Sequence, residues 1–94
     1  MIKRKATFET IVNLRASVIK NGYGPEYVFM GELHLRRLVD EFPDLYGPKK
    51  TWFDAIGGQL LGMLVIYDPS CESIKVGYSC RFIDELELKK EDVK

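Results

Sequence analysis

One imidazole and two thiols, those of His34, Cys71 and Cys80, are the strongest nucleophilic groups in this chain of 94 residues. A cysteine beside a histidine can be activated as a thiolate. No serine or cysteine stands at a local spacing from His34, so such a pair depends on the fold bringing a thiol to the ring. The two thiols lack the CxxC spacing of a redox or zinc site, and with one histidine they supply at most three soft ligands. Asp40, Glu41 and Asp44 could do acid-base work as paired carboxylates, but at the end of a helical stretch they read as a solvated terminus. Gly47-Pro48-Lys49-Lys50-Thr51 has the ending of a phosphate-binding loop. It lacks the first glycine at the required distance, and Pro48 removes a backbone donor. Gly57-Gly58 lies outside any GxGxxG pattern and reads as room for a tight entry into a strand. The expectation is a protein with no catalytic residue, no cofactor and no metal.

The elements that would position these groups follow from periodicity. Phe8, Ile11, Val12, Leu14, Val18 and Ile19 recur at helical spacing, which predicts a helix from about Thr7 to Asn21. Thr7 is its expected N-cap, with Glu9 in the first turn and Gly22 at the left-handed C-terminal position. Tyr27-Val28-Phe29-Met30 reads as a short strand buried on both faces. Gly31 ends it, and Leu35, Leu38, Val39 and Phe42 set the apolar face of a second helix from Glu32 to Phe42, with Arg36–Asp40 and Arg37–Glu41 as i,i+4 pairs outside. Pro43 to Lys50 carries two prolines and a glycine and reads as a loop. Leu60 to Tyr67 is apolar at alternate and intervening positions alike, as a central strand covered on both sides would be. Asp68-Pro69-Ser70 stops it, and Ile74, Val76, Tyr78, Cys80 and Phe82 then alternate with polar or small residues. That pattern predicts a half-exposed strand returning antiparallel through a hairpin at Asp68.

Composition bounds the rest. A chain of this length with 46% hydrophobic and 30% charged residues suits one globular domain, residues 1–94. Residues 1–6 read as a flexible basic start and 84–94 as a charged tail or an edge strand. Fourteen basic residues balance fourteen acidic ones, which leaves no net field to hold nucleic acid or an anionic membrane. The basic start is followed by no apolar stretch of signal-peptide length, and nothing approaches the roughly 20 apolar residues of a membrane span. The cytoplasm of a host cell or a virion is the expected location, where both thiols would remain reduced.

Two segments carry a family resemblance. Thr10-Ile11-Val12-Asn13-Leu14 through Asn21-Gly22-Tyr23-Gly24-Pro25-Glu26-Tyr27-Val28-Phe29-Met30 resembles the helix ending in "GY.P" and the "V.M" strand of tailed-phage major capsid proteins and encapsulin-type shells. Leu61-Gly62-Met63-Leu64-Val65-Ile66-Tyr67-Asp68-Pro69 and Ile74-Lys75-Val76-Gly77 are similar to two strands of the same axial domain. The match spans about Thr7 to Phe82. Leu64 stands where that family often has proline, and 94 residues leave no room for its N-terminal arm, extended loop or spine helix. The resemblance implies an axial-type domain alone: a phage or prophage structural or interaction protein, a decayed capsid gene or an expressed fragment, acting through protein contacts at its loops.

The sequence therefore predicts an α+β domain, two helices packed on a mainly antiparallel sheet of three to four strands, without enzymatic activity. Its expected contact site is the loop bearing Tyr46, Lys49, Lys50 and Trp52, because loops carry function and aromatic residues dominate contact energy. The expected partner is another protein or a second copy; a small host-directed inhibitor or regulator, binding a host protein or a nucleic-acid enzyme, is the alternative. Val65 lies mid-strand, so Val65→Asp is expected to lower the melting temperature sharply. An unpaired buried carboxylate costs several kcal/mol, comparable to the whole stability of a small domain. A variant that melts with the wild type by circular dichroism contradicts the buried strand.

Overall fold

The computed structural model of the chain describes residues 6–46 and 51–84. The order is α1 (Ala6–Lys20), β1 (Tyr27–Met30), α2 (Glu32–Glu41), a short helical turn α3 (Pro43–Tyr46), a 3₁₀ turn (Trp52–Ala55), β2 (Gln59–Leu60), β3 (Met63–Tyr67), β4 (Lys75–Tyr78) and β5 (Arg81–Asp84). The class is α+β, as the periodicities predict. The sheet differs: it has five strands, is mixed, and runs in the order β2-β3-β1-β4-β5.

Helix α1 buries Ile11, Leu14 and Val18 along one stripe. Its end is a Schellman motif, in which the Tyr23 amide donates to Val18 C=O at 3.1 Å and the Gly22 amide to Ile19 C=O at 2.9 Å. Gly22 takes the required left-handed conformation at φ 88°. The start differs from expectation. Thr7 is inside the helix, and the cap comes from α2: Glu41 accepts the Thr7 amide at 3.0 Å and the Phe8 amide at 2.9 Å. Glu41 is therefore buried, occupied by orphan helix donors rather than solvated or paired with Arg37. Beside it the Phe8 and Phe42 rings meet edge to face at 5.0 Å, so one carboxylate and one aromatic pair bind the two helices together.

Helix α2 starts at Gly31, where chain density rather than backbone conformation excludes a side chain. A Cβ there would stand 2.6 Å from the Cys71 carbonyl oxygen, although φ is an ordinary −83°. Leu35, Leu38 and Val39 face the core. Arg36 turns back to Glu32, 2.7 Å away, instead of forward to Asp40. The predicted loop after α2 begins with the helical turn Pro43–Tyr46; residues 47–50 lie outside the described residues.

The sheet corrects the predicted strand order. Residues 68–74 do not form a hairpin; they pass the end of β1, where the Asp68 amide donates to Met30 C=O at 3.0 Å. Strand β1 lies between β3 and β4, parallel to the first (Val28 opposite Val65) and antiparallel to the second (Val28 opposite Val76). A helix between two strands permits parallel pairing, and seven connecting residues exceed the usual hairpin length of about two to five. The tight turns lie inside the two runs read as single strands. Leu61-Gly62, at φ 53° and 80°, joins β2 to β3, and Ser79-Cys80, at φ 46° and 65°, joins β4 to β5. Both are two-residue turns with positive φ throughout, the geometry that suits strand twist. Arg15 Nε donates to the Leu61 carbonyl at 3.0 Å and Glu26 Oε1 accepts the Ser79 amide at 2.9 Å, so each strained turn is tied to another element.

Among the described residues the core lies on one face of the sheet. Val28, Met30, Met63, Val65, Val76 and Ile83 point to the helices and pack with Ile11, Leu14, Val18, Leu35 and Leu38. Residues 1–5 and 85–94 are outside the described residues, so the basic start and charged tail are not placed; Ala6 is helical and Asp84 closes strand β5.

The shared carboxylate gives a stability prediction. Glu41→Ala strands two helix-terminal donors and is expected to cost about 1–3 kcal/mol in urea unfolding. Glu41→Gln, which keeps one acceptor, is expected to lose less. A Glu41→Ala midpoint unchanged from wild type would remove the cap from the energetics.

Candidate functional site

Of the groups that could do chemistry, His34 lies beside the loop that carries Cys71, and Cys80 lies in the β4–β5 turn. His34 is half-buried on α2, with Nε2 3.2 Å from the Glu72 carbonyl oxygen. Cys71 is buried at the start of the same loop. Burial first, and then the negative charge of Asp68, pushes its thiol above the usual range. A thiol held protonated in this way is a poor nucleophile. The Asp68 carboxylate is held below its usual range, chiefly because the Ser70 hydroxyl donates to it at 2.7 Å and then because the Ser70 amide does so at 3.0 Å. This turn satisfies its own polar groups. Cys80 is exposed in the β4–β5 turn, and both thiols are free. Among the described residues no group of three His, Cys, Asp or Glu side chains could hold a metal ion, and no helix is long and apolar enough to cross a membrane. Gly57, at φ 82°, donates its amide to Val65 C=O at 2.9 Å, so the glycine pair does admit the chain to the sheet.

The expected contact loop is placed in part. Thr51 and Asp54 form a capping box on the 3₁₀ turn, with the Thr51 amide 2.6 Å from Asp54 Oδ2. Trp52 is half-buried against the core: its ring meets Tyr67 at 5.1 Å, and the Arg36 guanidinium lies 5.9 Å from its centroid. The solvent-facing aromatic is its neighbour Phe53, 63% exposed and stacked on Trp52 at 4.2 Å. An open hollow of about 400 Å³ lies between this pair and Arg36 and Asp40. Tyr46 ends α3, whereas Lys49 and Lys50 lie outside the described residues. Trp52 is thus the one residue of the expected site whose side-chain surroundings are on view, and it covers the core.

The surface that sequence reasoning missed is the outer face of the sheet. Among the described residues, strands β1 and β3 are covered by helices on one side and not on the other. Tyr27 (40% exposed), Leu64 (37%) and Phe82 (54%) stand on the face opposite the helices, with half-buried Phe29 and Ile66 between them. Unbroken alternation would put Phe82 on the buried side with Val76. The turn at Ser79-Cys80 reverses the chain instead, pairing Phe82 with Gly77 and Ile83 with Val76. Gly77 lies in the middle of this face, where a Phe29 ring carbon sits 2.9 Å from the position a Cβ would take. The Phe29 ring takes the space a side chain at Gly77 would need, and a hollow of about 250 Å³ lies among Tyr27, Phe29, Gly77 and Phe82. Lys75 lays its ammonium 4.8 Å from the Phe82 ring centroid, a cation–π contact at the rim. The sequence does hold a signal for this face: two helices of 15 and 10 residues suffice to cover one side of a sheet.

No protein-family model matches the chain, and no curated protein or solved structure matches it either.

The environments of the thiols lead to a prediction of reactivity. Under native conditions a maleimide is expected to modify Cys80 rapidly and Cys71 only on unfolding, read by mass spectrometry of the digested protein. The pH dependence has a definite sign. The folded-state pKa of Cys71 lies above the unfolded value of about 8.5, so unfolding releases a proton above that pH and stability falls as pH rises. Equal labelling of both thiols at neutral pH would contradict the burial of Cys71.

Proposed function

We propose that this chain is a non-enzymatic protein-interaction domain whose contact surface is the outer face of the sheet. The observation that carries the reading is the asymmetry of the strands. One side is filled by helices, while the other presents Tyr27, Leu64 and Phe82 to solvent around the Gly77 groove. Contiguous exposed apolar surface on a small domain marks an interaction site, and aromatic side chains supply most of the energy at such sites. Among the described strand residues this face carries one lysine and one aspartate, Lys75 and Asp84, and Glu26 and Arg81 line its hollow, a balance that suits a protein partner better than a phosphate backbone.

The narrower form of the proposal, a phage or prophage structural protein akin to an isolated capsid axial domain, rests on the sequence motifs. The three motif-bearing strands, β1, β3 and β4, are neighbours in the sheet. A host-directed inhibitor would use the same face on a different partner. In either case the proposed contact shifts from the loop bearing Tyr46, Lys49, Lys50 and Trp52 to the sheet, with exposed Phe53 as a second apolar position.

The test is affinity purification of tagged wild type, a Leu64→Ser/Phe82→Ser variant and a Lys49→Glu/Lys50→Glu variant, each first matched for melting temperature. The sheet variant is expected to lose the partner at least tenfold and the loop variant to keep it. Virion assembly proteins in the eluate favour the capsid-type reading, and a host enzyme favours the inhibitor. Undiminished recovery by the folded sheet variant overturns the assignment of this face.

A further inference from the structure

We infer that the open hollow between α2 and the 3₁₀ turn receives an arginine side chain of a partner protein, with Asp40 as the acceptor of its guanidinium and the Trp52–Phe53 ring pair as the wall it stacks on. This hollow shares no lining residue with the one on the outer sheet face, so the inference goes beyond the sheet reading and does not depend on it.

The acceptor is free because of where its neighbour turns. Arg36 and Asp40 stand one helical turn apart on α2 and both line the hollow, yet the Arg36 guanidinium turns back to Glu32, with Nε 2.7 Å from Oε2. Glu32 thereby offsets the one positive charge among the described lining residues. Among the described residues nothing pairs with the exposed Asp40 carboxylate. The charge left unanswered in the hollow is therefore negative.

The wall is held in place by its own turn. The capping box between Thr51 and Asp54 fixes the 3₁₀ geometry, and the edge-on contact with Tyr67 at 5.1 Å anchors Trp52. Trp52 in turn stacks on Phe53 at 4.2 Å, with the rings 23° from parallel, and so supports an aromatic side chain that is 63% exposed. The same wall already accepts one cation, since the Arg36 guanidinium lies 5.9 Å from the Trp52 centroid.

These parts select the ligand. A guanidinium is planar and weakly hydrated, and it can stack on a ring while its fork donates two parallel N–H groups to a carboxylate. A lysine ammonium is compact, strongly hydrated and has no plane to lay on the wall. An anion is repelled by Asp40, and an uncharged apolar group desolvates that carboxylate without pairing it. The volume of about 400 Å³ is at the low end of the range of about 300–1,000 Å³ for small-ligand sites, which suits one side chain and not a folded surface.

Trp52 is the only tryptophan of the chain, so its emission reports on the hollow directly. The probe is N-acetyl-arginine amide, titrated into the full chain at constant ionic strength. Beside it run the citrulline analogue, of nearly the same shape without the charge, and the lysine analogue, with the charge but no plane. The arginine probe is expected to saturate with a dissociation constant on the order of 1–10 mM, as fits one ring contact and one charge-assisted pair. Both analogues are expected to bind at least fivefold more weakly. Asp40→Asn and Phe53→Ala alter exposed side chains and, once matched to wild type in melting temperature, are each expected to weaken the arginine probe at least fivefold. Leu64→Ser/Phe82→Ser, on the outer sheet face, is expected to bind it as wild type does. A titration without saturation up to about 50 mM, an analogue that binds as tightly as arginine, undiminished binding by either folded hollow variant, or a loss in the sheet variant overturns the proposal. Free arginine that binds more tightly than the blocked probe overturns it too, because the hollow then reads the amino acid and not a side chain of a polypeptide.

Discussion

Four residues, Tyr27–Met30, carry the backbone pairing of both halves of the sheet. On one side β1 runs parallel to β3 and on the other antiparallel to β4, and just before it Glu26 serves both neighbours, accepting the Leu64 amide at 3.0 Å and donating its own to Gly77 at 2.9 Å. Val28 and Met30, fully buried, are the points at which these ladders meet the helical layer. Everything else is arranged around this short strand: α2 must leave it closely enough that only glycine fits at Gly31, and the loop from Asp68 must pass over its end. A polar substitution at Val28 would therefore disturb two ladders and both helices together.

Much of this is legible in the sequence, and the misreadings have specific physical sources. Helical periodicity places α1 and α2 to within a residue or so, and Gly22 marks the end of α1 because a left-handed terminus favours glycine. The cap of α1 is not legible: Glu41 lies 34 residues from Thr7 in the chain, and no local rule connects them. The two tight turns are hidden by their composition. Leu61 and Cys80 occupy left-handed conformations normally given to glycine or asparagine, so apolar and alternating patterns run through them unbroken. One consequence is the inverted facing of Phe82. Another is that uninterrupted apolar character reads as burial on two sides, when Leu64 and Tyr27 belong to an uncovered face. Of the expected site, Trp52 is seen half-buried with its ring against Tyr67.

The division of the sheet into a filled side and a bare side also orders the chemistry. Of the groups able to react, His34 is engaged with the Glu72 backbone and Asp68 with that of Ser70. The surface that lacks such engagement is apolar and broad. On the proposed reading, the free energy of contact at this surface comes from area and shape.

The parallel pairing of β1 with β3 has a kinetic side. Val28 and Val65 are 37 positions apart in sequence, whereas the β4–β5 turn brings Tyr78 to Arg81 across 3. Closing the longer loop costs about 2 kcal/mol more in chain entropy. The two hairpins can thus nucleate on their own, while β1 can join them only as α2 docks and draws the ends of the crossover together. The last strand to be secured on this route is the central one. Until it is, the β2–β3 and β4–β5 hairpins each present an unpaired inner edge, and it is this interval, not the finished fold, in which chains at high concentration are most exposed to pairing with the wrong neighbour.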